Sequence, residues 1–212
     1  MENLAQILIY IHASFGGLAL LFGAIALFSK KGSRVHKKSG ILFFYTMLVS
    51  AFMALVIANI PNHESLFLIL IGIFSTYFLV GGYRCLNYKK KDSNLVIDKV
   101  IAWSMLVTAI GMIIIPIILN KEINIVLAVF GIVGLIFSIR DVSLYKKRDK
   151  LKKVWLKLHV GKMMGGYISA VTAFMVVNEF LPGAYGWFLP GLIGGIYISY
   201  WMRKINKTLQ VN

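Results

Sequence analysis

"LAQILIYIHASFGGLALLFGAIALFS", residues 4–29, runs for 26 residues without a formal charge. A helix needs about 20 apolar residues to cross roughly 30 Å of hydrocarbon, and this stretch exceeds that. The next residues, 30–40, read "KKGSRVHKKSG", five cations around one histidine, His36. An oily run followed by a basic loop is the unit from which the rest of the chain is built. Further uncharged apolar stretches cover residues 39–62, 65–83, 100–120, 123–139, 163–178 and 180–202. They are continuous, whereas the strands of a membrane barrel alternate lipid-facing and lumen-facing residues. The two shorter ones, 123–139 and 163–178, gain length from Arg140 and from Lys157 or Lys162, whose stems can snorkel. The sequence therefore predicts an all-α integral membrane bundle, a single transmembrane domain over residues 1–212. Its seven transmembrane helices fall at about 4–29, 39–61, 65–86, 98–120, 123–143, 156–179 and 186–203.

Composition agrees: 58% of the 212 residues are hydrophobic, against about 45–50% in soluble domains. Orientation follows from the cations, because Lys and Arg collect in loops that stay in the cytoplasm. Of the 23 cations, all but Lys121 and Lys162 fall in the first, third and fifth loops and the C-terminal tail. The four aspartates lie on that same side and the four glutamates on the other. Seven alternating helices then place the N-terminus outside and the C-terminus in the cytoplasm. Tyr10, Tyr185 and Trp187 fall at the outer interface, and Tyr88, Trp103, Tyr145, Trp155 and Trp201 at the inner one, where amphipathic rings anchor.

The net charge of +15 sits in short loops beside the spans, so it points to anionic lipid headgroups, each cation contributing about 1 kcal/mol, and not to nucleic acid. The first helix lacks the basic start of a secretory signal. One cysteine, Cys85, excludes an internal disulfide and a paired-thiolate zinc site. The chain has no phosphate-cradling glycine loop, no His-Glu-x-x-His and no Gly-x-Ser-x-Gly elbow, which argues against a familiar enzyme. No central pair of carboxylates suggests an ion-driven pump. The expected partners are the lipid bilayer and, by close packing of small residues, a second copy of the chain in a homo-oligomer.

Residues 36–59 and 159–178 both open on histidine, share Ala-Phe-Met and close on asparagine, and "LIG" at 70–72 answers "LIG" at 192–194. These matches suggest a three-plus-one-plus-three parallel repeat about an axis along the membrane normal.

Ionisable groups inside a bundle are costly and mark pathways, ligands or partners. His12 shares a helical stripe with Gly16, Ala19 and Gly23; His159 shares one with Gly166, Ala170 and Ala173. Both should face the bundle interior. His36 and His159 share a depth at the inner interface, each among cations, and the unprotonated ring is the one that coordinates a metal or haem iron. His36 and His159, with His12, are the candidate cofactor-binding residues, haem b being the cofactor they would suit. Lys162 and Asn178 are the candidate substrate-binding residues. Asp98 and Asp141 are expected to pair with nearby cations.

"HASFGG" at 12–17, "KKGSRVHKKSG" at 30–40 and "HVGKMMGGYISAVTAFMVVN" at 159–178 together resemble an uncharacterised bacterial family of multi-pass integral membrane proteins, a domain-of-unknown-function family. Its first-loop pattern is Lys-Gly-Gly-x-x-His-Arg-x-x-Gly, met here from Lys31 to Gly40 with Ser33 for the second glycine and Lys37 for arginine. Its later pattern, His-x-Gly-Arg-Met-x-Gly-x-Tyr-Ile, is met from His159 to Ile168 with Lys162 for arginine. The resemblance spans essentially the whole chain and implies a bacterial cytoplasmic (inner) membrane, but no activity. Three functions compete: a haem- or metal-binding membrane redox protein using His36 and His159; a small-molecule permease of topology similar to the sugar-efflux and PQ-loop transporters, without their proline-glutamine dipeptide; and a non-catalytic sensor or assembly factor.

Overall fold

A computed structural model describes residues 2–90 and 93–211, with the side chains of 208–211 left out. The described residues form seven α-helices: α1 Glu2–Phe28, α2 Arg34–Ile57, α3 Leu66–Arg84, α4 Val96–Asn120, α5 Ile125–Tyr145, α6 Arg148–Val177 and α7 Tyr185–Val211. A 3-10 turn, Cys85–Asn87, continues α3. The first six are long and apolar enough to cross a membrane. In α7 four glycines (Gly186, Gly191, Gly194, Gly195) and three tyrosines (Tyr185, Tyr197, Tyr200) dilute the leucine and isoleucine, and its mean hydropathy is lower.

Helix starts follow local chemistry. Ser33, Ser65 and Asn124 each accept a hydrogen bond from the backbone N–H three residues on, at 3.2, 3.3 and 3.0 Å, which satisfies donors that a first turn leaves unpaired. α2 therefore begins at Arg34, inside the basic loop and ahead of the apolar run, and His36 becomes a first-turn residue. α6 likewise starts at Arg148, well before its oily segment. Its leading residues are amphipathic: Leu151 and Leu158 are buried with Val154 and Trp155 beside them, against Cys85, Tyr88, Leu95, Ala102 and Tyr145. Hydropathy alone misses these first two turns because their other face carries Lys150, Lys153 and Asp149.

α3 and α6 form the centre. α3 packs against α2, α4, α5 and α6, and α6 against α1, α3, α5 and α7. Half of the apolar window of α3 is buried (50%), against 17% for α1. The hairpin of α1 and α2 flanks this centre on one side and the hairpin of α4 and α5 on the other. α5 thus lies along α4, whereas α1 lies along α2, so the two sequence halves joined by the suggested repeat are not paired alike. The outer faces carry exposed Leu18, Leu21, Val107, Ile118, Ile132, Ile136 and Ile193, a surface that hydrocarbon solvates and water does not.

Close approach sets the centre. A Cβ on Gly82 would stand 2.8 Å from the Met163 backbone nitrogen, and one on Gly131 2.9 Å from the Ala109 carbonyl oxygen. Helices in lipid associate through such backbone proximity. Aromatic pairs close the flank: Phe44 stacks on Tyr83 at 4.2 Å and Phe43 meets Tyr167 edge-on at 5.9 Å.

Gly82→Ala should lower stability by about 1–3 kcal/mol, because backbone cannot yield as a side chain would. Gly17→Ala, where nothing lies within 4 Å, should be neutral or stabilising by up to about 1 kcal/mol. Thermal unfolding of the two variants in one detergent checks the contrast; equal losses would refute it.

Candidate functional site

The basic loop between α1 and α2 is a folded cap. Gly32 adopts φ +79°, a left-handed turn that glycine enters without steric cost. Lys31 Nζ reaches back to the Ala26 and Leu27 carbonyl oxygens and lies 5.8 and 5.3 Å from the rings of Tyr197 and Trp201 on α7. A cation at a helix C-terminus satisfies orphan carbonyls and complements the helix dipole. Tyr197 Oη also donates to the Leu27 carbonyl, at 3.2 Å. Lys31 is therefore committed to holding α1, α2 and α7 together.

His36 completes this cap: its Nδ1 lies 2.9 Å from the Ala26 carbonyl oxygen. His159 Nδ1 lies 2.9 Å from the Gly82 carbonyl oxygen of α3. A carbonyl only accepts, so Nδ1 carries the hydrogen in both rings, and Nε2 is the nitrogen that bears the lone pair in the neutral form. Among the described residues neither Nε2 has a hydrogen-bond partner. His36 lies in the first turn of α2 and His159 in the half of α6 nearer the basic loops, so both rings lie toward the basic end of the bundle. His12 is elsewhere, near the other end of α1. Its Nδ1 sits 2.9 Å from the Ser50 carbonyl oxygen and 3.0 Å from Ser50 Oγ, which in turn donates to the His12 carbonyl at 3.0 Å. That reciprocal clasp fastens α1 to α2 and does not join the other two histidines. No group of three or more His, Cys, Asp and Glu side chains placed to hold a metal ion occurs among the described residues.

The structure places Lys162 in the interior of the bundle. It is 1% exposed and bonded to Asp141 of α5, which is equally enclosed. Tyr77 of α3 donates its hydroxyl to the same Asp141 oxygen, Oδ2, at 2.7 Å, and its ring lies 4.5 Å from Lys162 Nζ. A Cβ on Gly81 would stand 2.9 Å from that Nζ, so the bare α3 backbone makes room for the ammonium. Lys162 and Asn178 are not brought together: 16 residues on one helix separate them by about 24 Å. Asn178 is exposed, and its side chain donates to the Phe174 carbonyl at 2.8 Å, closing the end of its own helix.

Nearer the basic end lies a second ionic centre. Arg84 grips Asp98 of α4 through Nε at 2.9 Å and through a terminal nitrogen at 2.6 Å. Tyr88 donates to Asp98 Oδ1 at 2.7 Å, and its oxygen lies 3.2 Å from the hydroxyl of Tyr145. Asp98 and Asp141 thus pair with cations, as their positions in the sequence suggest. Tyr88 and Tyr145, which sequence reasoning reads as inner-interface anchors, turn their hydroxyls into this buried network, and Tyr77, which it does not single out, joins the deeper one. Their signal is weak but real: a tyrosine buried among aliphatic residues requires a partner for its hydroxyl.

Removing one member of a buried ion pair leaves an uncompensated charge and costs about 3–5 kcal/mol. Lys162→Ala should therefore unfold at markedly lower temperature, and Asn178→Ala should stay within about 0.5 kcal/mol of the parent. The paired substitution Lys162→Met with Asp141→Leu should recover part of the loss, since no charge is then stranded. Thermal denaturation of the four proteins checks the order; a paired variant less stable than Lys162→Ala would contradict it.

Compared with descriptions of protein families, with curated proteins and with solved structures, the chain finds no match.

Proposed function

We propose that this multi-pass membrane protein is a redox protein of the bacterial cytoplasmic membrane, and that His36 and His159 hold an iron cofactor, best a haem b, between α2 and α6. The observation that carries this reading is the anchoring of both rings through Nδ1 to backbone carbonyls. Metal-ligating histidines characteristically donate their second nitrogen in this way, which orients the ring and raises the basicity of Nε2. His36 and His159 would be the residues that hold the haem iron, and bundle cores build such sites from side chains on separate helices. The redox chemistry would belong to the iron; this chain's residues would orient the axial nitrogens and set the polarity around them. Seven spans, with the N-terminus outside and the basic loops in the cytoplasm, complete the proposal, and place the pair at the inner leaflet.

A second reading, a small-molecule permease, is favoured by Lys162. A buried ammonium paired with one carboxylate is the arrangement that an incoming anion or a proton would break, and intramembrane charges mark such pathways.

A visible spectrum of protein expressed with ample haem tests the first of them. The redox reading expects a Soret band that is lost in both His36→Ala and His159→Ala and kept in His12→Ala; a parent protein without the band overturns the haem reading. Topology is tested with Lys153→Cys, an exposed position, since the native Cys85 is fully buried and silent to reagents. An impermeant thiol reagent should label it only after permeabilisation; labelling in sealed cells would invert the bundle.

A further inference from the structure

The two ionic centres lie close together, and tyrosine hydroxyls fill the space between them. Gly81, which faces Lys162, and Arg84, which grips Asp98, are three residues apart on α3, about 4.5 Å along the axis. Asp141 and Tyr145 are both buried and one turn apart on α5, positions whose side chains are neighbours on one helix face. The ionisable side chains that α3, the 3-10 turn, α4, α5 and α6 bring together here are Tyr77, Arg84, Cys85, Tyr88, Asp98, Asp141, Tyr145 and Lys162, with His159 of α6 beside them on the Gly82 carbonyl. Asp98 is sealed, but its partner Arg84 retains 20% side-chain exposure. Polar side chains therefore run from the basic surface to the buried ammonium, hydrogen-bonded from Arg84 to Tyr145 and again from Asp141 to Lys162, with one helical turn of α5 between Tyr145 and Asp141.

The hydrogen positions along this chain have a direction. The one hydroxyl hydrogen of Tyr88 is given to Asp98, so at the 3.2 Å contact Tyr145 is the donor and Tyr88 the acceptor. We infer that Asp98, Tyr88, Tyr145 and Asp141 form a proton-exchange path that connects the buried Lys162 to the basic face of the bundle.

Each transfer balances. The Lys162 ammonium gives a proton to the Asp141 carboxylate: an N–H bond breaks, an O–H bond forms, and the pair becomes amine and carboxylic acid with no net change in charge. The acid proton then passes to the Tyr145 oxygen as the Tyr145 proton moves to Tyr88 and the Tyr88 proton to Asp98. Both phenols finish with one hydrogen each, and the net result is one proton carried from Lys162 to Asp98. Asp98 releases it to water beside Arg84, and the reverse sequence reloads the lysine. Concerted passage avoids a free phenolate in the low-dielectric interior; the step between Asp141 and Tyr145 requires the phenol to swing onto the carboxyl one turn away on α5. The path needs neither histidine, so it stands or falls independently of the cofactor reading.

The test is hydrogen exchange between Lys162 Nζ and water, followed by nitrogen-15 NMR on the full chain with labelled lysine in lipid nanodiscs. The Lys162 resonance is identified by its loss in Lys162→Arg. Tyr145→Phe and Tyr88→Phe each remove one relay oxygen without stranding a charge, and should slow the exchange by about tenfold or more. Tyr77→Phe removes an equally buried hydroxyl from Asp141 but lies off the path, and should leave the rate within about twofold. Exchange that is unchanged or faster in the Tyr145 and Tyr88 variants overturns the proposal, as does equal slowing in Tyr77→Phe. Should one relay variant fail to fold, the other decides alone.

Discussion

The crossing of α3 and α6 is the contact on which the rest of the molecule depends. Backbone meets backbone there at Gly82, against the Met163 nitrogen, and at Gly166, against Leu79, while Gly81 and Gly165 make room for the side chains of Lys162 and Phe78. A helix carbonyl inside a bundle is normally consumed by its own ladder, yet at this distance the Gly82 oxygen also accepts from His159. The same gap admits the Lys162 ammonium beside Gly81. One close approach thus orients an imidazole and shelters a charge. A methyl group at either glycine would displace both.

Electrostatics explains why that charge persists. An isolated ammonium in hydrocarbon is expensive, and the cost falls only when a counter-charge and hydrogen-bond partners surround it. Lys162 has both, from two other helices: Asp141 from α5 and the ring of Tyr77 from α3. The Arg84–Asp98 pair repeats the arrangement nearer the surface, again with a tyrosine on the carboxylate. Each centre is neutral overall and each joins α3 to a neighbouring helix. They tie the α4–α5 hairpin to the centre, much as the His12–Ser50 clasp and the Lys31 cap tie together the α1–α2 side. Helices in lipid gain little from apolar contact alone, so polar fasteners and small residues carry their specificity.

The basic loops have two separate duties. Lysines such as Lys38 and Lys153 are exposed and available to headgroups. Lys31, His36 and Ser33 are structural in the first loop, closing the end of α1 and starting α2. That division answers why a loop rich in cations also carries an imidazole: the ring reaches a carbonyl that a lysine stem already shares, while its other nitrogen stays unbonded.

The chain's helical, membrane-spanning character was decided by the sequence alone, because hydropathy is a sum over one segment and needs no partner. Capping by Ser33, Ser65 and Asn124 is equally local, but hydropathy passes over it, which is why α2 starts at Arg34 and not at 39. The pairing of Asp98 and Asp141 with cations was legible in kind, since a carboxylate at a helix end beside lysines has few alternatives. Which cation each chose was decided only in three dimensions: Asp141 takes a lysine 21 residues away on the next helix, where only the α3–α6 crossing could bring it. The apparent likeness of residues 36–59 and 159–178 shows the limit. Apolar helices drawn from few residue types resemble one another in sequence whatever they touch, and packing, which depends on the fit of opposed surfaces, laid α1 along α2 and α5 along α4.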